Sequence, residues 1–73
     1  MNIGDKVRVV KLPNTLPDDE LGTKLLFERC LNRTFSIVGL KDHLLEIEVG
    51  AVVGEPDYMH SIWIERELVE IAN

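Results

Sequence analysis

The sequence predicts an all-β domain of five short strands with one helix inserted between the first and second strands. Three observations predict it. Strict two-residue alternation of apolar and polar side chains marks two segments, Lys6–Val9 and Leu45–Val49, as half-buried strands. Clusters of Gly, Pro, Asp and Asn cut the second half of the chain into strand-length pieces. Only one long stretch, residues 15–32, lacks that alternation and shows apolar side chains at helical spacing instead.

The first strand is Asp5–Lys11, with Val7 and Val9 turned one way and Lys6 and Arg8 the other. Pro13 ends it, because proline has no N–H to donate to a ladder. A helix start follows. Thr15 or Asp18 supplies an N-cap, Pro17 suits a first turn, and Asp18, Asp19 and Glu20 complement the positive end of the helix dipole. The helix runs to about Asn32, weakened at Gly22 by about 1 kcal/mol relative to alanine. Thr23, Leu26, Phe27, Cys30 and Leu31 share one face, while Leu21 and Leu25 project to another side.

Thr34–Gly39 is the second strand, with Phe35 and Ile37 on one face, and Leu40–His43 is a polar turn. Leu45–Val49 is the third strand, its Glu46 and Glu48 facing solvent. Ala51-Val52-Val53 could extend it before the turn residues Gly54–Asp57. His60–Glu65 is the fourth strand, Ile62 and Ile64 on one side, Trp63 on the other. Glu65–Leu68 reads as a single helical turn, and Val69–Ile71 as a short closing strand.

Composition narrows the class further. The chain has 73 residues, so one domain is expected, and nearly every large apolar side chain is needed for its core. A hydrophobic fraction of 45% with 29% charged residues is globular rather than disordered. No apolar run approaches the roughly 20 residues that cross a bilayer, and Met1–Asp5 lacks a signal-peptide layout, so a cytoplasmic protein without membrane contact is expected. The single cysteine, Cys30, excludes an internal disulfide and is expected in the core. The net charge of -5 concentrates towards the C-terminal end, which carries Glu55, Asp57, Glu65, Glu67 and Glu70 against Arg66. That balance argues against general binding to phosphate backbones and suits a basic partner.

The order of elements resembles the SH3-like small barrel. The likeness is carried by Gly4-Asp5-Lys6-Val7-Arg8-Val9 and by Ile62-Trp63-Ile64-Glu65-Arg66-Glu67-Leu68-Val69-Glu70-Ile71, a strand, one helical turn and a closing strand. The resemblance implies a five-stranded barrel, and the chain is similar to bacterial members of that layout. Among families sharing it are peptide-reading SH3 domains, KOW-type domains and small accessory subunits. The tyrosine-rich first strand and paired tryptophans of the peptide readers are missing here, so the resemblance does not imply proline-rich peptide binding. It implies a non-enzymatic domain for protein interaction or an accessory role; the alternative is a KOW-like nucleic-acid or ribosome-associated domain using Lys6, Arg8, Lys11, Arg33 and Lys41.

The candidate partner-binding residues are Trp63, Tyr58, Leu21 and Leu25. Two placements are open to Trp63: an outward interface anchor, or packing beneath the helix. His43 and His60, with Asp42, Glu55 and Asp57 nearby, lack the ligand spacing of a zinc site, so no metal is expected. No phosphate loop, catalytic triad or paired-carboxylate site is present, so no cofactor and no small-molecule substrate are expected. The expected partner is a protein or a second copy of the chain, with nucleic acid the weaker reading.

Overall fold

The computed structural model describes residues 1–14 and 22–72. Its strands are β1 (Lys6–Val9), β2 (Thr34–Lys41), β3 (Leu44–Glu48), β4 (Ser61–Glu65) and β5 (Val69–Ile71). Among the described residues one helix, α1 (Thr23–Cys30), lies between β1 and β2. The strands form one antiparallel five-stranded sheet in the order β4-β3-β2-β1-β5. This mostly-strand architecture is compatible with a small barrel-like fold. The sheet is not closed, because no ladder joins β4 to β5 among the described residues.

Alternation builds the core as the sequence predicts. Val7 and Val9 of β1, Phe35 and Ile37 of β2, Leu45 and Ile47 of β3, and Ile62 and Ile64 of β4 are all buried on one side of the sheet. Phe27 and Cys30 of α1 complete that side, with Leu26 packed against it. Strand β2 is the corner of the sheet. Its first residues pair with β1 and its later ones with β3, and the register shifts between Ile37 and Gly39, leaving Val38 as the extra residue. Such a bulge increases local twist and turns one half of the sheet against the other.

Four details differ from the sequence reading. Gly22 lies outside α1 and precedes it as its N-cap, with φ 73°, a left-handed conformation that glycine adopts freely. The helix stops at Cys30 rather than near Asn32, which has φ 65°. Leu31 instead forms an isolated bridge with Val9. The expected N-cap residues Thr15 and Asp18, together with Leu21, lie outside the described residues.

The second pair of differences concerns turns. Leu40 and Lys41 belong to β2, and the turn contracts to Asp42-His43, where Asp42 takes φ 53°. Ala51-Val52-Val53 does not extend β3. It forms a 3-10 turn, Gly50–Val53, that buries Val52 and leaves its two neighbours exposed. A second 3-10 turn, Asp57–Met59, leads into β4, and a third, Arg66–Leu68, is the helical turn expected before β5.

Candidate interaction surface

The register between β3 and β4 assembles the surface around Trp63. Glu46 lies opposite Trp63, Glu48 opposite Ser61, and Leu44 opposite Glu65. All six residues occupy the sheet face away from the core, because Leu45, Ile47, Ile62 and Ile64 between them are buried. Glu46 also pairs with Gly39 of β2, so Gly39, Glu46 and Trp63 form one row across three strands.

Gly39 leaves room in that row. A methyl added there would stand 3.3 Å from Trp63 Cη2 and 2.8 Å from Glu46 Oε1. The indole therefore reaches across β3 towards a bare backbone, an arrangement in which an aromatic ring covers a strand glycine. Ser61 fixes the carboxylate beneath it, donating its hydroxyl hydrogen to Glu46 Oε2 at 2.7 Å.

Trp63 remains 44% exposed. It is on the outer sheet face, so of the two placements the outward one is observed. Around it stand Glu46, Glu48 and Glu65, all half-buried, and none of them is in an ion pair among the described residues. The pairs that do form lie elsewhere. Arg8 of β1 pairs with Glu70 of β5, and His60 Nε2 lies 3.2 Å from Glu55 Oε2.

The other candidate residues are not gathered at Trp63. Tyr58 is 73% exposed on the Asp57–Met59 turn, next to exposed Met59, and makes no ring contact with Trp63. Leu25 is 51% exposed on α1. It lines a shallow cleft of about 240 Å³ with Leu26, Arg29, Val53 and His60. Leu21 falls outside the described residues. Trp63 and Leu25 thus mark two separate places.

From the sequence alone Glu46 and Glu48 are ordinary solvent-facing strand residues, and nothing singles out Gly39. The signal that finds them is hairpin register: pairing Leu45–Val49 with His60–Glu65 places Glu46 against Trp63. Among the described residues no three His, Cys, Asp or Glu side chains converge on a point that could hold a metal. Cys30 is fully buried, and that burial pushes its thiol up from 9.0 to about 11, against a smaller downward pull from the Arg33 guanidinium. Such a thiol is protonated at neutral pH and a poor nucleophile. Among the described residues no helix is long and apolar enough to cross a membrane. Comparison with protein-family models, curated proteins and solved structures finds no match to this chain.

Proposed function

We propose that this chain is a non-enzymatic protein-binding domain built on an SH3-like barrel, and that it engages its partner through the outer face around Trp63. The strand order β4-β3-β2-β1-β5 and the bulge that bends β2 support the barrel reading. The observation that carries the binding reading is the half-exposed indole laid over Gly39 and bracketed by carboxylates that form no ion pair among the described residues. A large aromatic ring held in one orientation supplies contact area at low entropic cost, which is why such residues anchor interfaces.

The test is an affinity capture from native lysate with the wild-type chain and Trp63→Ala, after circular dichroism shows the variant folded. A protein retained by the wild type and lost by the variant is the expected result. Equal retention by both, or retention only of nucleic acid that salt elutes, would overturn the reading and favour the basic residues of β1.

A further inference from the structure

The hydrogen-bond phase of β4 shows which of its groups are free. Val49 N–H donates to His60 O at 2.8 Å, and Arg66 N–H donates to His43 O at 3.0 Å. In an antiparallel ladder the paired residues alternate. Residues 60, 62, 64 and 66 therefore turn their main-chain groups to β3, while Ser61, Trp63 and Glu65 turn theirs away from it. Strand β4 ends the sheet, and no main-chain hydrogen bond of the described residues reaches those three from the open side.

Proteins usually blunt such an edge with lysine, proline or a bulge. Ser61-Ile62-Trp63-Ile64-Glu65 has none of these, and its register with β3 is unbroken through every pair. We infer that the open edge of β4 takes an extended segment of a partner protein in antiparallel pairing, a segment with Lys or Arg at every second position. This deepens, and rests on, the reading of the Trp63 face as a protein-binding surface.

Charge selects the occupant. A strand added beside β4 sends alternate side chains to the face that carries Trp63, Glu65, Glu46 and Glu48. Cationic side chains there meet three carboxylates that are in no ion pair among the described residues, and an indole that attracts cations. A second copy of this chain is disfavoured. Self-pairing of β4 would crowd the same three carboxylates from both copies onto one face, between chains of net charge -5.

The test uses the full chain and a short synthetic peptide alternating Arg with Val, titrated at low salt. Trp63, the one tryptophan, is the fluorescent reporter. Amide exchange at Ser61, Trp63 and Glu65, read by nuclear magnetic resonance, reports pairing. Binding should slow exchange at those three amides. Methylating the peptide nitrogens of the Arg positions, which face the edge, should weaken binding about tenfold or more. Methylating those of the Val positions, which face away, should change it little.

Equal affinity for the two methylated peptides would overturn edge pairing. So would equal binding of a peptide with Glu in place of Arg, or a free chain already dimeric with those amides protected. The two readings fail separately. If Trp63→Ala loses its captured partner but peptide methylation has no effect, the Trp63 surface stands and the edge pairing falls. If Trp63→Ala retains the partner, the surface itself is wrong.

Discussion

Gly39 and Gly50 are both kept bare, by neighbours of different stiffness. At Gly50 an added methyl would stand 1.9 Å from the Pro56 carbonyl oxygen, a main-chain atom that cannot step aside alone. Gly50→Ala should therefore cost at least about 2–3 kcal/mol by overpacking, read as a lowered urea midpoint. At Gly39 the nearest atom is the tip of Glu46, which can rotate away, although Glu46 Cβ at 3.0 Å cannot do so as easily. Gly39→Ala should cost less, about 1 kcal/mol, and should shift Trp63 emission by displacing the ring. Cys30 gives a pH signature. Its folded value lies above its unfolded one, so between about pH 9 and pH 11 the unfolded chain has released the proton that the folded chain still holds. Stability contributed by the buried thiol is complete below pH 9 and is lost as pH rises to about 11. Native protein at neutral pH should resist alkylation at Cys30, and Cys30→Ala should flatten that part of the alkaline stability profile.

Elements built on strict alternation were legible, and elements set by contacts were not. Leu45–Val49 and His60–Glu65 were read nearly to the residue because each exposes polar and buries apolar side chains in turn. Ala51-Val52-Val53 offered no alternation. Its conformation is set by the close approach of Gly50 to Pro56 and by Asp57, whose Oδ1 accepts the Ala51 N–H at 3.1 Å. That bond ties the two 3-10 turns together just before β4. Asp57→Ala should lower stability by about 1 kcal/mol and raise amide exchange at Ala51 while leaving β1 and β5 unchanged. Trp63 was legible as a candidate from its parity in β4. Its carboxylate surroundings were not, because they depend on cross-strand register rather than on any single strand.

At the scale of the molecule, curvature decides whether five strands remain a sheet or approach a barrel, and periodicity carries no record of it. The bulge at Val38 is visible only as a break in pairing, since Phe35 and Ile37 before it alternate normally. What the sequence does determine is which side of the sheet is core, and neighbouring residues of β4 test that directly. Ile64 is fully buried and Trp63 half-exposed, although Trp63 is the larger side chain. A chain this short draws only about 3–5 kcal/mol from its core, without a disulfide to help. Ile64→Ala, at about 3 kcal/mol, should remove most of that and leave a partly unfolded chain at room temperature. Trp63→Ala should cost about 1 kcal/mol, because water already reaches much of the ring and no core cavity opens. Urea denaturation followed by far-ultraviolet circular dichroism avoids the lost fluorophore and measures both variants alike. The reverse order, with Trp63→Ala the more damaging, would mean that β4 is slipped by one residue and its faces exchanged. In that case Glu46 and Glu48 would no longer flank an exposed ring, and the surface proposed for binding would be interior.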